Sequence, residues 1–181
     1  MLVKETAIPG VLVLQPVLHE DDRGFFMETF RASHFKERGL EFNFVQDNQS
    51  RSKKGTLRGL HFQGVRPQGK LVRVLSGEVF DVAVDIRKES PTFGKWVGEY
   101  LSSENNKQLW VPPGFAHGFY VTSQVADLAY KCTDYYMKDD EFSLLWSDPD
   151  LAIEWPCQGK APLLSERDIN APRLHEVTGL L

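Results

Sequence analysis

Cysteine is scarce in this chain of 181 residues, which holds two, Cys132 and Cys157. They stand in no metal-binding or redox spacing, so free thiols in a reducing compartment are expected rather than a disulfide framework. Long apolar runs are missing too. No stretch approaches the length needed to cross a bilayer, and the N-terminus lacks the basic-then-apolar pattern of a secretion signal. The expectation is a cytoplasmic protein without a membrane partner. Excess positive charge is absent as well: the formal net charge of −4 argues against a nonspecific nucleic-acid partner. An anionic small molecule stays open, provided arginines and lysines cluster locally. Neither internal repeats nor a low-complexity linker interrupts the chain, so residues 1–181 read as a single domain.

What is present is a succession of short strands broken by Gly and Pro. Strands are expected at Ile8 to Pro16, Phe25 to Phe30, Phe42 to Asn48, Trp96 to Leu101, Leu109 to Val111, Gly118 to Val121, Val125 to Tyr136, Phe142 to Trp146 and Leu151 to Trp155. His19 to Gly24 reads as a charged turn and Gln49 to Gly55 as a polar, basic loop. Helices are confined to Ser33 to Arg38, capped near Ser33 and stopped by Gly39, and to a fragment near Ser165 to Ile169. An α/β fold needs long amphipathic helices between strands, and none is found. The pattern therefore predicts an all-β jelly-roll barrel of antiparallel strands.

Leu71 to Leu75 and Val79 to Ile86 alternate on either side of Ser76-Gly77, a strong hairpin signal. Centring the turn there pairs Val74 with Val79, Val72 with Asp81 and Lys70 with Ala83. Lys70 and Asp81 become diagonal neighbours on a face shared with Val72, Val74, Val79 and Ala83. A lysine and an aspartate on an apolar face need each other or a function. This face is read as the floor of a site.

Cupin-type jelly rolls commonly bind a metal through two histidines, a glutamate and a further histidine. The second half of that pattern is here as Pro112-Pro113-Gly114-Phe115-Ala116-His117. The first half is broken, because His61-Phe62-Gln63 replaces a His-x-His pair and no glutamate follows at ligand spacing. Two histidines make a poor zinc or iron site, so no metal is expected. His61 gains weight from Arg58 and Lys70 nearby: a histidine base and a lysine holding a negative oxygen suit proton abstraction. In a regular strand Arg58 and His61 point to opposite faces, so either Gly59 carries a bulge or Arg58 serves elsewhere. Tyr130 shares its face with Ala126, Leu128 and Cys132, and is either a core tyrosine or a phenolic acid facing His61. Tyr136 lies about 20 Å further along a straight strand, out of reach of the same substrate atom. Cys132 reads as a core residue, and Leu164 to Asp168 by itself as a solvated, capped turn.

These residues fall in an order that resembles the dTDP-4-dehydrorhamnose 3,5-epimerase family over nearly the whole chain. The marks are Asp22-Arg23-Gly24-Phe25-Phe26-Met27-Glu28, Val45-Gln46-Asp47-Asn48, Leu57-Arg58-Gly59-Leu60-His61-Phe62, Gln68-Gly69-Lys70-Leu71-Val72-Arg73, Gly77 to Arg87, Ser90 to Gly94, Gly114 to Phe119 and Leu164-Ser165-Glu166-Arg167-Asp168. The resemblance implies a homodimer that needs no metal or organic cofactor. Its substrate would be a thymidine-diphosphate 4-keto-6-deoxyhexose, inverted at carbons 3 and 5. By the same matching His61 is the base, Asp168 orients it, Lys70 holds the enolate oxygen and Tyr130 returns a proton from the opposite face. Arg23, Glu28, Gln46, Asn48, Arg58, His117, Glu141 and Arg167 match substrate contacts, and Tyr136 a position near the nucleotide. Arg167 stands where lysine is common. Two rivals remain: an epimerase of the same fold that inverts one carbon of a related sugar, and a sugar-nucleotide binding module without turnover.

Overall fold

The alternating segments pair into two antiparallel sheets laid face to face. The computed structural model describes residues 1–37, 39–40 and 43–177. One sheet has six strands, in the order β1 (Leu2–Glu5), β2 (Leu12–Gln15), β10 (Gln108–Val111), β7 (Lys70–Ser76), β12 (Val125–Cys132) and β5 (Gln46–Lys53). The other has five: β13 (Glu141–Ser143), β6 (Leu57–Gln63), β11 (Phe115–Val121), β8 (Glu78–Asp85) and β9 (Trp96–Ser102). A separate ribbon joins β3 (Leu18–Asp21) to β4 (Gly24–Met27). The α-helices of the described residues are short, α1 (Ala32–Lys36) and α2 (Glu166–Ile169). This is the expected all-β jelly roll of cupin type. No helix among the described residues is long and apolar enough to cross a membrane.

Apolar side chains form three layers. Between the sheets lie Val11, Val13, Val72, Val74, Val79, Leu101, Phe119 and Leu128. The outer face of the five-stranded sheet (Leu60, Phe62, Val82, Val84, Ala116) is covered by Leu144, Leu151, Trp155 and Leu174 from the C-terminal part of the chain. Leu12, Leu14, Leu71 and Trp110 on the outer face of the six-stranded sheet are covered by Phe35 of α1 with Phe30 and Phe44. Strand β8 is thus buried on both faces, which accounts for consecutive apolar residues at Val79-Phe80 and Val82-Ala83-Val84 where strict alternation is expected.

The expected β7–β8 hairpin does not form. Val74 pairs with Leu128 of β12, while Val79 pairs with Val121 of β11 and Leu101 of β9. At Ser76-Gly77 the chain leaves one sheet and enters the other. Gly77 has φ +79°, and a Cβ there would stand 2.1 Å from the Val125 carbonyl oxygen, so only glycine fits the crossing. Ser123 Oγ accepts the Glu78 N–H at 2.9 Å and anchors the new strand. Val72, Val74, Val79 and Ala83 do share one apolar region, but across the gap between sheets rather than side by side.

Other differences have local causes. The segment read as a loop at Gln49 to Gly55 is mostly edge strand β5. Asp47, Gln49, Arg51 and Lys53 face solvent, while Gln46, Asn48, Ser50 and Ser52 point the other way, so neither face is apolar. The strand expected from Phe42 begins at Gln46, and Phe42 lies outside the described residues. The charged turn expected at His19 to Gly24 narrows to Asp22-Arg23, between β3 and β4, and Leu151 to Trp155 is no strand but part of the cover over the five-stranded sheet. Helix α1 begins after Arg31, which holds the N-cap position without a side-chain capping bond, rather than at a Ser33 cap, and it ends before Gly39, whereas Arg38 lies outside the described residues.

Candidate active site

The interior of the barrel becomes polar where β5, β6, β7, β12 and β13 meet. On β6 the pairing with β11 slips: His61 lies opposite His117, and Arg58 opposite Phe119. Three steps on one strand therefore face two on the other, which is a bulge. Gly59 permits it with φ +116°, and a Cβ there would stand 2.6 Å from Gly118 Cα. The extra residue turns Arg58 and His61 to one face, settling the choice left open by the sequence in favour of the bulge. Arg58 Nε then donates to Ser52 Oγ at 3.0 Å.

His61 Nε2 lies 2.6 Å from Asp168 Oδ1. Asp168 is 2 % exposed. Burial pushes its carboxyl up, but hydrogen bonds from His61, Ser165 and the Gly59 N–H outweigh that and hold it below the usual value. An ionised carboxylate can only accept, so Nε2 carries the proton in this contact, and the ring's exchangeable position is Nδ1. Helix α2 supplies Asp168 inward and Arg167 toward β13, where Arg167 Nε donates to Ser143 Oγ at 2.8 Å and Nη1 pairs with Glu141.

Lys70 is 9 % exposed and, among the described residues, makes no ion pair. Burial lowers its pKa, while the charges of Glu141 and Asp81 act to keep it protonated. The expectation that Asp81 clamps Lys70 on one sheet face is corrected. They approach from different sheets, and the Asp81 carboxylate instead meets His117 Nε2 at 2.9 and 3.0 Å. On β12, burial pushes the Tyr130 phenol up to about 12, so it keeps its proton at any ordinary pH.

Tyr136 is closer to this chemistry than a straight strand would allow. Strand β12 stops at Cys132, and the chain turns back so that the Tyr136 hydroxyl donates to Glu141 Oε2 at 2.7 Å. The charge of Glu141 in turn acts on Lys70 and Tyr130, and it is itself influenced by His61. Gln46 and Asn48 line the β5 side: Gln46 accepts the Tyr136 N–H at 2.8 Å and donates to Asn48 Oδ1 at 3.0 Å, and Asn48 donates to Cys132 Sγ at 3.4 Å. A cavity of about 650 Å³ opens beside Tyr136, Glu141, Ser143 and Arg167, a size suited to a small organic ligand.

Arg23 and Glu28 are not drawn into this cluster. Arg23 sits at the tip of the β3–β4 ribbon and pairs with Asp21, and Glu28 pairs with Arg31, all at the surface. At the position of the missing metal ligand, Gln63 is fully engaged. Its amide donates to the Arg66 and Tyr135 carbonyls at 2.7 and 3.2 Å and accepts the Met137 N–H at 2.8 Å. Among the described residues no cluster of three His, Cys, Asp or Glu side chains fits a metal. Sequence reasoning missed Ser52 and Ser143 as partners of Arg58 and Arg167; isolated strand serines carry no signal for such contacts.

Fold and side chains together fit a jelly-roll isomerase, with a carboxylate-held histidine, a protonated phenol and a buried cation all within the electrostatic reach of Glu141. The profile described as dTDP-4-dehydrorhamnose 3,5-epimerase matches residues 5–176. A relative of that name from Salmonella typhimurium is 56% identical over 178 residues, 97% of each chain. Another, from Neisseria gonorrhoeae, is 57% identical over 169 residues, 93% of this chain, which spans about half (51%) of that relative's length. The structure of dTDP-6-deoxy-D-glucose-3,5-epimerase from Legionella pneumophila, solved with dTDP-4-keto-L-rhamnose, superposes with a TM-score of 0.94 at 55% identity, covering 97% of this chain and 94% of that one. This chain belongs to the dTDP-4-dehydrorhamnose 3,5-epimerase family.

Proposed function

We propose that the chain inverts carbons 3 and 5 of dTDP-4-dehydro-6-deoxy-D-glucose, giving dTDP-4-dehydro-L-rhamnose through an enolate. The observation that carries this reading is the 2.6 Å contact between His61 and Asp168, which leaves Nδ1 as the base. Both carbons flank the carbonyl. His61 Nδ1 takes the carbon-bound proton, and the C–H electron pair moves into the ring to leave a negative oxygen at carbon 4. The Lys70 ammonium, free of an ion pair among the described residues, donates to that oxygen. Tyr130 gives its proton to the opposite face of the carbon as the carbonyl re-forms. Solvent then reprotonates the phenolate and takes the proton from His61. Arg58 and Arg167 suit the diphosphate, whose oxygens match a planar guanidinium. Gln46, Asn48, His117, Tyr136 and Glu141 contact the remaining polar groups. The reaction is assigned to the cytoplasm and needs no cofactor.

The test is proton NMR of the product formed from the 4-keto sugar nucleotide in heavy water, with excess chelator present. Deuterium at both carbons and the L-configured product are expected. A product inverted at one carbon would replace this reading with the single-carbon epimerase. Binding without exchange or inversion would replace it with the binding module. Activity lost to chelator and restored by one metal would overturn cofactor independence.

The working unit is proposed to be a homodimer in which the β3–β4 ribbon reaches the partner's site. The ribbon carries Arg23 and exposes Phe25 at 56 % and Phe26 at 71 %, a large apolar area for a free surface. Chains bearing Arg23→Ala and chains bearing His61→Asn, each inactive alone, should complement when refolded together. Random pairing leaves about one site in four intact, so about a quarter of wild-type activity should return. No recovery despite hybrid dimers would mean that the ribbon does not complete the partner's site.

A further inference from the structure

Ser165 makes two bonds to a single neighbour. It stands at the N-cap of α2 in an extended conformation, φ −75° and ψ 157°. Its Oγ accepts the Asp168 N–H at 3.2 Å, the bond expected of any capping serine. The same hydroxyl donates its own hydrogen to Asp168 Oδ2 at 2.8 Å. Accepting from the backbone and donating to the carboxylate requires a hydroxyl: aspartate at the cap could only accept, and alanine could do neither.

The two carboxylate oxygens of Asp168 are thereby divided. Oδ1 faces His61 Nε2, and Oδ2 is held by Ser165. The Gly59 N–H also donates to this carboxylate, but Ser165 is the side-chain donor on Oδ2, and without it the group is freer to twist about its last bond. Held at both oxygens, its plane is set, and with it the direction of the imidazole it meets. We infer that Ser165 is a positioning residue for the reaction: its donated hydrogen bond holds the Asp168 carboxylate in the plane from which Oδ1 orients His61. This rests on the role of His61 as base proposed above. Misaiming a reacting group by a fraction of an ångström to an ångström lowers rates by up to about 10²-fold.

The N-cap role and the positioning role make opposite predictions for one substitution. As caps, Asp and Ser are nearly equal and Ala is poor. As a donor to Asp168, Asp fails like Ala and adds a repelling charge. Ser165→Ala should lower kcat about 10-fold and Ser165→Asp about 10²-fold, with KM changed less than about threefold. Ser165→Thr, which keeps the hydroxyl, should recover most of the activity. Melting temperatures should follow the other order, with Ser165→Asp at or above Ser165→Ala. Should Ser165→Asp not fold, Ser165→Gly takes its place, since glycine is a tolerated cap without a donor and must lose as much kcat as alanine. Ser165→Asp turning over at least as fast as Ser165→Ala, or Ser165→Gly matching wild type, would overturn the inference. His61→Asn separates the two levels, read by exchange of the substrate's carbon-bound hydrogens in heavy water. Exchange persisting in His61→Asn refutes the base assignment itself. Exchange lost there but intact in Ser165→Asp refutes Ser165 alone.

Discussion

His61→Asn should abolish both inversion and the exchange of the substrate's carbon-bound hydrogens with heavy water, whereas Tyr130→Phe should separate the two. Without the imidazole no proton leaves carbon, so neither process can begin, and a loss of about 10³-fold or more is expected. Without the phenol His61 still removes the proton. After exchange with solvent, it returns deuterium to the face the proton left. Inversion should therefore fall about 10²-fold further than exchange, the scale of a lost positioned acid. The high pKa of Tyr130, about 12 through burial, means that the phenol is protonated throughout the assay range and available as a donor. Equal suppression of exchange and inversion in Tyr130→Phe, accompanied by a lower melting temperature, would return Tyr130 to the role of a core residue.

Lys70→Met should reduce kcat by about 10²- to 10³-fold while nucleotide affinity changes little. The ammonium meets a full negative charge only once the enolate forms, so its contribution belongs to the transition state. The pH profile carries a second signature. Because burial lowers the pKa of Lys70, its charge is present at low pH and lost as pH rises through a value below that of an exposed lysine. Turnover should decline on that alkaline side, well before Tyr130 ionises. Lys70→Arg should retain some activity and lose the alkaline limb, since guanidinium stays charged. Equal losses in kcat and binding for Lys70→Met would assign the lysine to ground-state binding. An unmoved alkaline limb in Lys70→Arg would assign that limb to another group.

Strand content is legible because it resides in local patterns of apolar residues in β7, β8 and β12, and His61, Lys70 and Tyr130 stand out as candidates from their neighbours, whereas Asp168 is singled out only by the resemblance. Which strand pairs with which is not legible. Alternation on either side of Ser76-Gly77 is the same whether the next strand lies alongside or in the opposite sheet, and Gly77 suits both. The decisive contacts, Val125 against Gly77 and Ser123 beneath Glu78, come from nearly fifty residues downstream. The edge strand β5 was lost for a related reason. Its inward side chains are polar and bond other polar groups, Gln46 to Tyr136, Asn48 to Cys132 and Ser52 to Arg58, so Gln46 to Ser52 carries no apolar signal. Tyr136 was misplaced because a strand reading has no way to anticipate the turn after Cys132. Ser165 stood in plain view as a cap three residues before an acid, yet its second bond depends on where β6 puts His61.

Gln63 ties two properties of this barrel to one side chain. Its amide closes three backbone bonds with Arg66, Tyr135 and Met137, on both sides of Tyr136. A histidine placed there to complete a His-x-His pair has one ring donor and one ring acceptor in its neutral form, and binding a metal would take the acceptor. At least two of the three bonds would go, and with them the support of the turn that brings Tyr136 to Glu141. Within this scaffold, a metal ligand and the bonds that hold the Tyr136 turn compete for the same residue. Gln63→His therefore cannot add a ligand beside His61 without loosening the turn that carries Tyr136.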